Sequence, residues 1–408
     1  MDSLTQVVLG AAVGEAVLGR NIGNRAMLWG GIAGTLPDLD VLSGMVTDPM
    51  SALAYHRAFT HSIPFAVLAA PLIAVAVHRM YGGRGPDLPK RYLFPLVLTA
   101  FWVLLVTGSY LMPVGVYRIP AIATVITLVF GILCGIVALV ERRKARTGTR
   151  VSATFTQWTL LFFLAIVTHP LLDCFTAYGT QIWQPLSRSR TAWNTISVVD
   201  PLYTLPFLLF LLAAARKGAG TQVRATLNKV GLAVSSAYLL LTVINHFNVG
   251  AVLEDTLAVE GIEASSTLHS PNLGNNLLWS GTARVAGTDD YYAGQYSILD
   301  AERRFTPFFP VKGNHALVAP YAGEREVDIL LWFTNGYYTV VPADSGRIQL
   351  SDLRYGLLSD DPTDPAAYIF SWTIDTTTRP VRVLRQNAGP QGDRGEMLRN
   401  MWERMWVR

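Results

Sequence analysis

Five stretches of the chain, 62–80, 92–112, 119–140, 156–177 and 230–248, each run for about 20 residues with very little charge. A helix of that length crosses the roughly 30 Å hydrocarbon core of a bilayer, and a series of such runs is hard to bury in a soluble core. A shorter apolar segment at 201–215 is a further candidate. The first 43 residues hold two more apolar runs, 4–19 and 26–43, rich in Gly and Ala, which read as a tight helical hairpin. Gly10/Gly14, Gly30/Gly34 and Gly131/Gly135 each have the spacing that lets two helices approach closely. The opening Met1-Asp2-Ser3 lacks the basic stretch of a secretory signal.

The remaining composition divides the chain. Hydrophobic residues make up 51% and charged residues only 15%, against about 25% charged in soluble domains. Residues 1–248 carry 19 Lys/Arg and nine Asp/Glu, a surplus of ten positive charges, while residues 249–408 carry 14 and 20, a deficit of six. This argues against a cytosolic enzyme and against disorder. The basic residues sit in short loops between apolar runs, so the formal charge of +4 does not indicate a nucleic-acid partner. Cys134 and Cys174 alone make no disulfide framework.

Loops 20–25, 79–91, 141–155 and 216–229 hold 15 Lys/Arg. The alternate loops hold four: Arg57, Arg118, Arg188 and Arg190. The positive-inside rule puts the first set in the cytoplasm, and with eight crossings it puts the N-terminus and everything after residue 248 on the outer side. The expected organisation is an α-helical polytopic membrane bundle over 1–248, a mainly-β extramembrane domain over 249–393, and an amphipathic helix over 394–408. Runs Leu277–Val285, Tyr291–Leu299, Asp328–Val341 and Ala367–Ile374 are the expected strands, with turns at Asn335-Gly336 and Asp344–Gly346. The terminal helix suits docking on the β domain, or lying in the membrane interface.

Ionisable groups at membrane depth are costly and point to function. Residues 1–248 place Asp38, Asp40, Asp173 and Asp200 at segment ends of one leaflet, and His56, His61 and His169 face the same side. Pro37 should end a helix, leaving Asp38 and Asp40 on a turn. His56 and His61, five apart, need a loop to converge, with Ser62 capping the next helix. His169 and Asp173, four apart, share a helix face. Three imidazoles and three carboxylates suit Zn²⁺ or Mn²⁺, with Fe²⁺ a further candidate, and six ligands would hold two ions. Taken singly, each pair also fits a solvated turn, interfacial loop histidines or a hydrogen-bonded pair. Their coincidence on one side makes the metal reading. Arg57 is placed to anchor an anionic group. Glu15 is expected either to bond a neighbouring helix or to reach the site, and Asp200 to cap a helix.

The sequence also resembles a known family. Met1–Gln6 (M-D-S-L-T-Q), Gly34–Asp40 (G-T-L-P-D-L-D), His56–Ser62 (H-R-A-F-T-H-S), Thr168–Asp173 (T-H-P-L-L-D), and Tyr178–Ser187 leading to V-D-P-L-Y at 199–203 look like the YdjM-like family of LexA-regulated, membrane-bound, metal-dependent hydrolases. The resemblance covers about the first 210 residues. The family is grouped with the zinc-dependent phospholipase C and nuclease superfamily. By position it implies Asp38, Asp40, His56, His61, His169 and Asp173 as ligands. Many members have a His early in the first helix, where this chain has Gln6, whose amide oxygen is a weaker donor. The leading expectation is a di-metal hydrolase in a bacterial inner membrane, cleaving a lipid or lipid-linked phosphoester by activated water. Asp38 or Asp40 would serve as base and Arg57 as charge stabiliser. The alternatives are a metal- or proton-coupled transporter, and a non-catalytic envelope protein with a structural metal.

Overall fold

The computed structural model describes residues 1–83, 89–112, 115–145, 152–357, 361–362, 364, 367–388 and 394–406. Parts of the basic loops 79–91 and 141–155, including Arg84, Arg146 and Arg150, lie outside the described residues, as do 389–393. The chain forms two compact units. One comprises Met1–Trp193 and Pro201–Tyr238, the other Asn194–Asp200 and Leu239–Arg408.

The first unit is helical. Helices α1 (Ser3–Ile22) and α2 (Asn24–Thr35) form the expected hairpin. A Cβ added at Gly10 would lie 2.3 Å from the Gly30 carbonyl oxygen, and one at Gly30 would lie 2.2 Å from the Gly10 carbonyl oxygen. Only glycine admits this crossing. Pro37 starts a 3-10 segment, Pro37–Met45, so the apolar run 26–43 is not one helix. Short α3 (Pro49–Tyr55) and a 3-10 turn (Phe59–His61) lead to α4 (Ile63–Met80), whose N-cap Ser62 accepts the Phe65 N–H at 3.1 Å. Then come α5 (Lys90–Tyr110), α6 (Ile119–Ala145), α7 (Phe155–Asp173), α8 (Pro201–Ala215) and α9 (Gln222–Glu260). A capping box of Thr154 and Gln157 starts α7. Among the described residues, five helices are long and apolar enough to cross a membrane, Ile63–Met80, Arg91–Tyr110, Ile119–Glu141, Phe155–Asp173 and Gln222–Glu260, and Pro201–Ala215 is a shorter apolar helix.

The expected domain break at 248 falls inside α9. Hydropathy drops there, but a stripe at helical spacing continues through Val249, Val252, Leu253 and Leu257. That stripe packs with Trp279, Tyr296 and Phe305 in the core of the second unit.

Among its described residues this unit carries two antiparallel four-stranded sheets. The first, in the order β1-β2-β3-β4, contains β1 (Ala264–Pro271), β2 (Leu278–Val285), β3 (Tyr291–Ser297) and β4 (Phe308–Val311). The second, in the order β5-β6-β7-β8, contains β5 (Tyr338–Ala343), β6 (Arg347–Asp352), β7 (Phe370–Asp375) and β8 (Arg382–Ala388). The run 328–341 is not a single strand. Its first half is α10 (Arg325–Thr334), which buries Val327, Leu330 and Phe333 at helical spacing. Asn335, with φ +52°, ends the helix in the left-handed conformation, so Asn335-Gly336 is a helix stop and not a hairpin turn. Terminal α11 (Arg394–Trp406) docks on the first sheet: Arg404 pairs with Asp300 at 2.8 Å, and the Met405 carbonyl accepts from Ser297 Oγ at 2.8 Å.

Candidate metal centre

The sequence brings Asp38, His61 and His169 together. One donor atom from each lies within 4.8 Å of the other two. The His61 and His169 Nε2 atoms are 3.1 Å apart, and Asp38 Oδ1 lies 3.6 Å and 3.3 Å from them respectively. Bonds of 2.0–2.1 Å to a tetrahedral ion would separate its ligand atoms by about 3.3 Å, so all three spacings fit a single ion. His61 and His169 are fully buried, while the Asp38 side chain is 19% exposed.

The protons are set by the partners behind each ring. His169 Nδ1 faces the Gly34 carbonyl, which can only accept, so Nδ1 carries the hydrogen and Nε2 keeps its lone pair. His61 Nδ1 lies 3.1 Å from Asp40 Oδ2, which likewise leaves the His61 Nε2 lone pair facing the cluster. Two imidazole lone pairs and a carboxylate thus converge on one point, the arrangement in which a carboxylate or carbonyl behind each histidine fixes its tautomer for a cation. The glycine crossing of α1 and α2 has a chemical consequence here, because it sets the position of the Gly34 carbonyl. A Cβ at Gly34 would meet the Gln6 carbonyl oxygen at 2.7 Å.

Asp173 Oδ2 lies 3.5 Å from both Nε2 atoms. It is buried and accepts no hydrogen bond, although Arg57 Nε is 3.2 Å away. A buried carboxylate oxygen without a hydrogen bond is costly, and a cation at the cluster would remove that cost. The other oxygen, Oδ1, takes the Met1 amino group and Gln6 Nε2, the latter at 3.1 Å. Gln6 also donates to the His169 carbonyl at 3.3 Å, and its own Oε1 is buried without a hydrogen-bond partner.

Asp40 and His56 stand one layer further out. Asp40 Oδ2 accepts the Arg57 backbone N–H at 2.7 Å and faces His61, while Oδ1 faces His56 Nδ1 at 2.8 Å. In a 3-10 turn, residues two apart point to different sides, so Asp38 meets the imidazole nitrogens and Asp40 supports the ring of one of them. The side chain of His56 is 30% exposed and packs edge-on against Tyr178.

Arg57 has φ +57°, a strained conformation for a residue with a side chain. Its N–H bonds Asp40 and its carbonyl accepts from the Gln181 N–H at 3.0 Å, which holds the backbone there. The guanidinium, nearly buried, bonds Thr176 Oγ1 at 2.9 Å and lies 4.9 Å from the centre of the Tyr178 ring. Arg190 lies 5.0 Å from the same ring.

Glu15 does not join this group. It forms a buried ion pair with Arg224 of α9, which also donates to Asn24 Oδ1 at 2.6 Å. Asp200 is buried at the residue before α8 and belongs to the second unit. Sequence reasoning missed Ser3, which donates to Asp38 Oδ2 at 3.0 Å, and Thr176, which braces Arg57. Neither a lone serine at a helix start nor a threonine past a helix end carries a signal of its own.

A family model described as YdjM inner membrane protein matches residues 1–116 and 119–249. No curated protein and no solved structure matches the chain.

Proposed function

The chain belongs to the YdjM inner membrane protein family, and from that premise we propose that it is a membrane-embedded, metal-dependent hydrolase acting on a lipid or lipid-linked phosphoester. The observation that carries the reading is the convergence of Asp38 Oδ1 and two imidazole Nε2 atoms beside a buried Asp173 oxygen that lacks a hydrogen bond. Asp38, His61 and His169 would hold a divalent cation, Zn²⁺ or Mn²⁺, with Asp173 Oδ2 a further donor in reach. A bound cation would supply Lewis acidity and a water of lowered pKa. The two-ion expectation would need a second close set of donors, and among the described residues the set found is this one.

The chain's own groups divide the remaining work. Asp40 orients His61 and ties it to the Arg57 backbone. Arg57, held by Thr176 and Asp173, presents a fixed positive charge for an anionic substrate oxygen. Asp38, the partly exposed carboxylate, is placed either to ligate or to take a proton from the attacking water. The excess of Lys/Arg in loops 20–25, 79–91, 141–155 and 216–229 supports a non-cytoplasmic site under the positive-inside rule.

The test is elemental analysis of the detergent-purified wild type and His61→Ala, with phosphoester turnover measured in parallel. About one equivalent of zinc or manganese, lost together with turnover in the mutant, is the expected result. A wild type that binds neither metal after reconstitution sinks the reading.

A further inference from the structure

The close donors are not equally accessible. His61, His169 and Asp173 have side chains at 0% exposure, and Asp38 alone, at 19%, reaches the surface. Whatever approaches the cluster passes Asp38, so the surface around Asp38 describes what can enter.

That surface carries several exposed apolar side chains beside the polar Ser3. In a 3-10 helix, residues three apart eclipse, which stacks Val41 on the face of Asp38, and Val41 is 64% exposed. On the facing helix, Ser3 Oγ touches Asp38 Oδ2 at 3.0 Å. Its neighbour Leu4 is 49% exposed, and Val7, one turn further along α1, is 38% exposed. Met45, at the end of the 3-10 segment, is 76% exposed. A mouth open to water would leave these side chains hydrated at a cost of about 25 cal/mol for every Å² of apolar surface. A mouth open to acyl chains carries no such cost, and this unit contains helices long enough to cross a bilayer.

We infer that the cluster opens sideways into the bilayer between the start of α1 and the Pro37–Met45 segment. It admits the phosphate-bearing head of an amphiphile whose acyl chain lies along Leu4, Val7 and Val41. This rests on the proposed hydrolase reading for the chemistry at the head group, and on exposure and geometry alone for the lateral mouth. Lateral entry suits a buried cluster: the substrate is already in the leaflet and only its head moves, past Asp38 toward Arg57.

The experiment uses the full chain in phosphatidylethanolamine/phosphatidylglycerol nanodiscs. Val41→Cys and Leu4→Cys carry a nitroxide, with Leu128→Cys on the exposed side of α6 as the lipid reference. Native Cys134 and Cys174 are buried, and wild type is the labelling blank. Both labels should relax with oxygen several-fold more than with a water-soluble nickel chelate, as at position 128. Dominant nickel relaxation, or shielding from both agents, overturns the lateral mouth. In the same discs, wild type should hydrolyse dipalmitoyl phosphatidic acid at least 100-fold better in kcat/KM than aqueous p-nitrophenyl phosphate. Equal or reversed preference overturns the acyl-chain contact. Turnover of neither compound sinks the hydrolase reading, and the nitroxide depths then decide the lateral mouth by themselves.

Discussion

The Nε2 atoms of His61 and His169 face each other at 3.1 Å, each with its Nδ1 committed to an oxygen behind it. Two lone pairs at that distance repel unless a proton or a cation lies between them. His169→Ala should therefore lose the bound metal while keeping its helical circular dichroism, because one ligand and not a fold-defining contact is removed. Zinc content equal to wild type in that mutant would contradict the site.

Asp40 and Asp38 should separate in their effects. Removing an orienting carboxylate costs about 10–100-fold in metal affinity, so Asp40→Asn should still fill at high zinc with a dissociation constant raised by about that factor. Asp38→Asn should lower stoichiometry. Chelator competition reads both, and identical behaviour of the two variants would argue against the two-layer arrangement.

Metal affinity should fall with pH from a point above the ordinary histidine range. Burial pushes the His61 imidazole down, but the charge of Asp40 and the hydrogen bonds to Asp38 and Asp40 outweigh it, so its pKa is raised in the metal-free protein. A proton on His61 competes with the cation. Protonation becomes extensive as pH drops through that raised value, so affinity is full above it and lost below it. Zinc titrations at pH 8, 7, 6 and 5 should show a progressive loss, and a flat profile would count against His61 as ligand.

The α1/α2 crossing should not tolerate a side chain. At Gly30 a Cβ would meet backbone, not a flexible side chain, so Gly30→Leu must push the helices apart. A loss of about 3 kcal/mol or more is expected, together with weakened metal binding, since the Gly34 carbonyl behind His169 would shift. Gly135→Ala is the control, because nothing lies within 4 Å of a Cβ there. Thermal melts in detergent compare the two, and equal stability would mean the crossing is softer than its geometry implies.

The sequence by itself determined the membrane helices, because an apolar run of bilayer length has one stable outcome whatever its neighbours. It also determined that Pro37 would stop a helix, that Ser62 would start one, and that His169 and Asp173 would share a face, since these are properties of a few adjacent residues. The end of α9 and the helical half of 328–341 were less legible. Mean hydropathy hides a one-sided apolar stripe, and Asn-Gly serves equally as a hairpin turn or a helix stop until the preceding period is counted. Tertiary structure alone decided the layering of the site. Asp38 and Asp40 are the same residue type two positions apart, yet one meets the imidazole nitrogens and the other supports a ring from behind. That difference depends on where the 3-10 turn, the His56–His61 loop and α7 meet in space, and on the glycine crossing that positions the Gly34 carbonyl. Contacts between residues more than a hundred positions apart, such as His61 with His169 and Gly34 with His169, have no local signature, and they fix which nitrogen carries the proton and which is left for a metal.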